Sequence, residues 1–172
     1  MTKIETQEVV DPDKKWLPAN KLLSFPLYDF QKEGSGSLSS LSYESDFDEG
    51  SDCAFERRIL IVDDEPYNLM GLRVLFNAAD EGQGINDIVD QAKDGAEALE
   101  AVSNARGFQY GLVIMDCSMP IMDGYQAAMK IRELDHIEQP KIIACTGHSE
   151  PEYIKKAFRH HYDELVEKPA TV

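Results

Sequence analysis

Beyond residue 57, short apolar runs alternate with longer segments in which apolar residues recur at helical spacing. Apolar runs of four or five residues are typical of buried strands in a parallel sheet. They predict strands at 59–63, 85–90, 111–115, 141–145 and 164–166. The helical spacing predicts helices at 67–79, 95–104, 123–134 and 151–160. Strands that alternate with helices indicate an α/β fold, in which a parallel sheet has right-handed crossovers and helices on both faces.

Charged residues stand where three of the predicted strands end. Asp63 and Asp64 close the first strand, Asp116 closes the third, and Lys168 follows the last. In doubly wound sheets, ligands bind beyond the carboxyl ends of strands, where the strand order reverses. We therefore expect three carboxylates and one lysine to share a crevice. Carboxylates so close together repel one another, and the usual remedy is a hard divalent cation, most often Mg²⁺ where the site handles phosphate.

The first 56 residues differ from the rest of the chain in composition and lack its regular alternation of elements. They contain Asp-Pro, Leu-Pro and Phe-Pro pairs, a Gly/Ser stretch at 34–40 and an acidic run at 44–56. This composition is typical of linkers and disordered segments. We predict a linker or largely disordered segment at 1–56 and a folded domain at 57–172. Some apolar residues of the segment exceed what a linker needs and are expected to dock on another surface: Trp16, Leu22, Leu23 and Phe25.

Charge and composition narrow the functional classes. The 172 residues carry a formal net charge of −15, so nucleic acids and anionic membranes would repel the chain, and we expect no direct contact with either. No apolar stretch is long enough to span a membrane, and the acidic N-terminus is unlike a signal peptide. The odd number of cysteines, without metal-ligand spacing, favours reduced thiols. These features predict an intracellular, cytoplasmic protein.

Four separated motifs occur in order between Arg58 and Pro169: the paired aspartates, Asp116 with the loop after it, Thr146, and the Lys-Pro pair. With these motifs, about two thirds of the chain resembles the receiver domain of two-component response regulators. The stretch Met115–Gly124 looks most like receivers of hybrid histidine kinases. The resemblance implies a flavodoxin-like, doubly wound sheet of five parallel strands in the order 2-1-3-4-5.

The resemblance also implies residue roles at the strand ends. Asp116 would be the phosphoacceptor, because a carboxylate is a competent nucleophile toward phosphorus once a metal relieves charge repulsion. Asp63, Asp64 and Asp116 would bind Mg²⁺, with the backbone carbonyl of Ser118 as a further ligand. Paired acids before a helix are also common as simple helix caps, which is the plainer interpretation of Asp63 and Asp64.

Two more residues would contact the phosphoryl group. In receivers, the hydroxyl at the position of Thr146 turns inward to bind a phosphoryl oxygen, and Lys168 supplies the pairing cation. A strand-end threonine satisfied by the backbone and a solvated lysine are the alternatives. In the loop after the acceptor, Pro120 is expected to stiffen the chain and Gly124 to adopt a backbone angle closed to other residues.

The family also implies partners and a limited chemistry. The phosphoryl donor would be a histidine kinase or a histidine phosphotransfer domain. The domain would catalyse only transfer to its own aspartate and slow hydrolysis, while the parent protein would be a hybrid histidine kinase.

Two departures from the family pattern stand out. Receivers often carry Tyr or Phe three residues before the lysine as a switch, whereas this chain has Leu165. The chain ends at Val172, where the family continues into a fifth helix that covers one sheet face. We therefore expect that helix to be absent and that face to be exposed, unless the apolar residues within 16–30 cover it or the domain associates as a dimer.

Two other functions compete with this interpretation. Aspartate-nucleophile phosphatases of the haloacid dehalogenase type share strand-end aspartates, magnesium and a lysine, but they need a second aspartate where Ser118 stands. A pseudo-receiver that only binds partners usually lacks one of the acidic or acceptor residues, all of which are present.

Overall fold

A computed structural model describes residues 56–79, 85–147 and 161–168, together with Glu152 and Ala157. The strands are β1 (Glu56–Val62), β2 (Val89–Ala92), β3 (Phe108–Asp116), β4 (Lys141–Thr146) and β5 (Glu164–Glu167). The helices with described bounds are α1 (Pro66–Ala79), α2 (Gly95–Ser103) and α3 (Gly124–Arg132). A 3₁₀ turn, Ile85–Ile88, precedes β2.

All five strands are parallel and lie in the order β2-β1-β3-β4-β5. This order confirms the predicted flavodoxin-like sheet. The chain reverses direction across the sheet between β1 and β3, and Val62 pairs there with Met115. The carboxyl ends of these two central strands therefore lie side by side, at the place where such sheets bind ligands.

Alternating residues of each central strand supply two separate cores. On β1, Ile59 and Ile61 pack on the side of α1, whereas Leu60 and Val62 pack on the side of α2 and α3. Because successive side chains of a strand point to opposite faces, a continuous apolar run is what a sheet covered on both faces requires. Helices on both faces are thus confirmed.

Side chains at the strand-to-helix turns set where the helices begin. Asp94 is 6 % exposed and accepts hydrogen bonds from the backbone N–H groups of Ala96 and Glu97 at the start of α2. Asp123 does the same for Gln126 N–H at the start of α3. Pro66 opens α1, where the missing proline N–H costs no hydrogen bond. The two aspartate caps satisfy backbone N–H groups that the first turn of each helix leaves unpaired.

One strand lies later in the chain than the sequence predicts. The strand expected at 85–90 is a 3₁₀ turn followed by β2 at Val89–Ala92. Pairing with β1 decides the outcome, because Val89 to Ala92 lie opposite Ile59 to Val62. The other strands and the three helices lie within three residues of the predicted bounds.

Of the predictions about the uncovered sheet face, the exposure of apolar strand residues can be compared with the structure, and the covering segment cannot. On the α1 side, the apolar residues of β4 and β5 are at most 3 % exposed: Ile143, Cys145 and Val166. The described strands therefore do not carry the exposed apolar surface that a missing helix predicts. The segment 1–55 with its apolar residues, most of the helix expected at 151–160, and residues 169–172 lie outside the described residues.

Candidate functional site

Four strand ends bring together the charged and polar residues that the sequence singles out. Asp63 directly follows β1, Asp116 is the last residue of β3, Thr146 is the last residue of β4, and Lys168 directly follows β5. The apolar stretch of each strand is buried in the core, so the polar residues that follow it emerge at the same edge of the sheet. We call Asp63, Asp64 and Asp116 the carboxylate cluster.

Oxygen atoms of the carboxylate cluster lie within 4.8 Å of one another. Asp63 is 1 % exposed and Asp116 is 7 % exposed, whereas Asp64 is open to solvent. Burial weakens the screening of like charges by water, so this arrangement is unfavourable unless a cation balances it. The oxygen-only donor set, with two buried carboxylates and one at the surface, suits a hard divalent cation entering from solvent.

Lys168 bridges the two buried carboxylates. Its Nζ lies 2.6 Å from Asp63 Oδ2 and 3.1 Å from Asp116 Oδ2. The backbone N–H of Lys168 donates to the carbonyl of Thr146 at 2.9 Å, which ties the residue to the end of β4. The ammonium group is therefore held at the carboxylates by the sheet itself. Three carboxylates still face one ammonium group, and the cluster retains excess negative charge.

The pKa shifts follow from this geometry. Burial raises the pKa of the Asp116 carboxyl, and the charge of Asp63 adds to this effect, while Lys168 and a backbone hydrogen bond from Ser118 oppose it. Burial acts to lower the pKa of Lys168, but its hydrogen bond to Asp63 and the charge of Asp116 outweigh burial, so the pKa is raised. Lys168 is therefore a permanent cation, and Asp116 is the carboxylate whose ionisation the site resists.

Two donors from the β1–α1 turn hold Asp63. Its Oδ1 accepts hydrogen bonds from the backbone N–H of Glu65 at 3.0 Å and from the side-chain amide of Asn68 at 2.9 Å. Asn68 is a site residue that the sequence analysis missed. Its position five residues after Asp63, on the first turn of a helix that follows the aspartate, is a signal that could have identified it.

The loop after β3 approaches the acceptor backbone closely. Gly124 N–H donates to the carbonyl of Cys117, and a Cβ at Gly124 would overlap the Asp116 carbonyl oxygen and lie 2.5 Å from the Tyr162 hydroxyl. Gly124 is not among the described residues with positive φ; in this loop, Ile121 has that angle, at 67°. The prediction that Gly124 adopts an unusual backbone angle is therefore wrong. Glycine is needed here for close approach instead.

Two thiols flank the site, but neither is suited to be a nucleophile. Cys117 follows Asp116, and Cys145 lies opposite Asp116 in the sheet register. Both are free and buried. Burial raises the pKa of Cys117 to about 11 and that of Cys145 to about 12. Both remain protonated near neutral pH, which leaves the carboxylates as the nucleophilic groups of the site.

The structure thus assembles most of the predicted site. Asp63, Asp64, Asp116 and Lys168 lie together, Thr146 ends the neighbouring strand, and Ser118 lies exposed in the loop two residues beyond Asp116. The chemical roles assigned to these residues stay predictions. Leu165, at the position of the aromatic switch, is 1 % exposed within the core.

Comparison with known proteins agrees with this geometry. A sequence model of the response regulator receiver domain matches residues 59–172. The two-component response regulator ORR41 of Oryza sativa subsp. japonica is 35 % identical over 112 residues, which cover 65 % of this chain and 83 % of that protein. The hybrid signal transduction histidine kinase L of Dictyostelium discoideum is 31 % identical over 115 residues, covering 65 % of this chain but 6 % of the kinase.

A solved structure shares the fold. The receiver domain of a sensor histidine kinase from Pseudomonas aeruginosa PAO1, solved with a magnesium ion coordinated in its active-site cleft, superposes with a TM-score of 0.55. It is 25 % identical, and the match covers 65 % of this chain and 84 % of that one. None of the helices in the described part of the chain has the length and hydropathy needed to span a lipid bilayer.

Proposed function

Because the chain belongs to the response regulator receiver family of two-component phosphorelays, we propose that Asp116 accepts a phosphoryl group from phosphohistidine. The single observation that supports this role best is the position of Asp116. It ends the central strand β3, is 7 % exposed, and lies 3.1 Å from the Lys168 ammonium group. A carboxylate at this place is shielded from bulk water and paired with the cation that an incoming phosphoryl group would also meet.

The transfer is a displacement at phosphorus. An oxygen of the Asp116 carboxylate forms the new O–P bond as the N–P bond of phosphohistidine breaks, and the bonding pair returns to the imidazole nitrogen. The product is an acyl phosphate. Hydrolysis by water later restores the carboxylate and releases inorganic phosphate, so the domain resets without another enzyme.

The carboxylate cluster would hold Mg²⁺ through Asp63, Asp64 and Asp116, with the Ser118 carbonyl as a further ligand. When bound, the ion neutralises charge shared by the carboxylates and the phosphoryl oxygens. Asp63 and Asp116 are buried and short of positive charge. This shortage supports the assignment, because a buried carboxylate cluster is costly unless a cation occupies it.

Lys168 and Thr146 would respond to the added phosphoryl group. Lys168 would exchange part of its contact with the carboxylates for a phosphoryl oxygen, and the Thr146 hydroxyl would donate to another. The Lys168 N–H donates to the Thr146 carbonyl, and we propose that this hydrogen bond couples movement at the two residues. Leu165 provides no aromatic ring for the switch found in many receivers, so the response must pass through other parts of the surface.

The donor would be a histidine kinase or a histidine phosphotransfer domain, the proteins with which receivers of this family interact. We propose that the chain acts within a larger hybrid histidine kinase, because the stretch Met115–Gly124 resembles the receivers of such kinases. We propose a cytoplasmic location, where kinases have ATP and where the free thiols of Cys117 and Cys145 stay reduced.

Phosphorylation of the full chain by acetyl phosphate with Mg²⁺ tests the proposal. Wild type should gain one acyl phosphate, seen as a mass increase that hydroxylamine removes, and Asp116→Asn should gain none. Asp135→Asn is the matched control, because Asp135 is fully exposed and outside the site. Equal labelling of wild type and Asp116→Asn would disprove the acceptor. Rapid turnover of a phosphomonoester without stable labelling would instead favour the phosphatase alternative.

A further inference from the structure

The two carboxylate oxygens of Asp63 have different surroundings. Oδ1 accepts two hydrogen bonds, from the Glu65 N–H at 3.0 Å and the Asn68 amide at 2.9 Å. Oδ2 lies 2.6 Å from Lys168 Nζ, the ammonium that also contacts Asp116. The carboxylate is therefore oriented, with one oxygen held by the β1–α1 turn and the other directed at the site.

The two donors to Oδ1 differ in kind. The Glu65 N–H lies two residues after Asp63, so its hydrogen bond is the usual Asx turn of an aspartate before a helix. Asn68 lies on the first turn of α1, and its own backbone N–H donates to the Glu65 carbonyl at 3.0 Å. The first turn thus holds the backbone of Asn68, from which the side chain reaches Asp63. Its amide is the only side-chain donor to Asp63 Oδ1 among the described residues.

We propose that Asn68 is a positioning residue for the cation site. Its amide holds Oδ1 of Asp63 in the turn, so that Oδ2 stays directed at Lys168 and the rest of the carboxylate cluster. This inference rests on the proposed function, since its effect is on metal binding by the carboxylate cluster. It extends that function to a residue that contacts neither the cation nor the phosphoryl group.

The physical reason lies in the torsion of the aspartate side chain. Rotation about χ2 of an aspartate is soft, with broad energy wells, so hydrogen bonds decide which way the oxygens face. Without the amide, the Asp63 carboxylate is held by one backbone donor and by Lys168 and samples more orientations. Metal binding must then restrict it. Loss of a comparable outer partner of a metal ligand typically weakens metal affinity about 10- to 100-fold.

Calorimetric titration of the full chain with Mg²⁺ measures the effect. Asn68→Ala and the size-matched Asn68→Leu both remove the donor and should raise the Kd for Mg²⁺ about 10- to 100-fold. Asn68→Gln keeps an amide and should lose less. Asn77→Ala, which changes an exposed residue of the same helix, should bind as wild type does. The melting temperature without metal separates this effect from unfolding.

Unchanged Mg²⁺ affinity in folded Asn68→Ala and Asn68→Leu overturns the inference. Wild-type protein that fails to bind Mg²⁺ overturns the proposed metal site itself, so the two failures are distinct. If the variants do not fold, the chemical shifts of the Asn68 side-chain amide are measured instead while Mg²⁺ is added to the wild-type protein. They should change with the same Kd as the calorimetric titration, and an unshifted amide overturns the inference.

Discussion

Charged side chains are paired at the amino end of the sheet, whereas negative charge is left in excess at the carboxyl end. At the amino end, Arg58 on β1 makes two hydrogen bonds of 2.8 Å to Asp90 on β2, and the Tyr110 hydroxyl on β3 donates to the same carboxylate at 2.8 Å. Lys141 on β4 pairs with Glu164 on β5 at 2.7 Å. At the carboxyl end, one ammonium group contacts two of the three clustered carboxylates.

Two aspartates show the difference most clearly. The hydrogen bond from Arg58 lowers the pKa of Asp90, despite the opposing effect of burial. Burial raises the pKa of Asp116, despite Lys168. At the amino end the charges are thus paired within the chain and contribute to stability, whereas the carboxyl end leaves negative charge unbalanced. The predictions that follow test this contrast, from the largest effect to the smallest.

Gly124→Ala should destabilise the protein by about 3 kcal/mol, the upper end of typical overpacking costs. Its Cβ would overlap the Asp116 carbonyl oxygen and press on the Tyr162 hydroxyl, so the backbone at the acceptor must move. Gly71→Ala is the control, since nothing lies within 4 Å of its added Cβ and helix propensity should stabilise it by about 0.5–1 kcal/mol. Urea unfolding measures both. Equal stability of the two variants would show that the close approach at Gly124 is unimportant.

Added Mg²⁺ should stabilise the protein through the carboxyl end alone. At a free concentration one hundred times Kd, binding to the folded state adds about 2.7 kcal/mol to the free energy of unfolding. Melting temperatures with and without Mg²⁺ measure this gain, which Asp63→Ala should largely remove. Asp90→Asn, at the amino end, should keep it. A gain that survives Asp63→Ala would place the metal elsewhere.

Asp90→Asn should lower the free energy of unfolding by about 1–2 kcal/mol near pH 7. It weakens charged hydrogen bonds worth about 1.5–3 kcal/mol when buried, and the partial exposure of Asp90 reduces that value. Because the folded pKa of Asp90 is lowered, its contribution is present above the ordinary carboxyl pKa and is lost as the pH falls through the folded value. The difference from wild type should therefore shrink below about pH 4.

Among these changes, Asp116→Asn should alter the free energy of unfolding least, and in the opposite direction to Asp90→Asn. The folded pKa of Asp116 is raised, so its contribution is present below the ordinary carboxyl pKa and is lost as the pH rises through the folded value. Without metal, the asparagine variant should be slightly more stable than wild type near pH 7 and equal to it below about pH 4. Lys168 keeps Asp63 as a partner. A clear loss of stability at pH 7 would contradict the imbalance proposed for this end.

Much of the site follows from local sequence. Asp63, Asp116 and Lys168 stand where apolar runs end, and the parallel sheet predicted from the alternation places such ends at one edge. The contact of Asn68 with Asp63 was missed although the two residues are only five positions apart. The close approach at Gly124 was misassigned because it depends on how α3 packs against the end of β3, which no single run of residues reveals. The start of β2 was misplaced for the same reason, because its pairing with β1 decides it.

The sequence by itself determined the order of strands and helices and the charges at the strand ends. These features are local, since burial of an apolar run and exposure of the charge that follows it depend on neighbouring residues. Only the tertiary structure decided which oxygen of Asp63 contacts Lys168, and that Arg58, Asp90 and Tyr110 meet across three strands. Such contacts depend on strand register and helix docking, which join residues far apart in the chain and set distances to within a few tenths of an ångström.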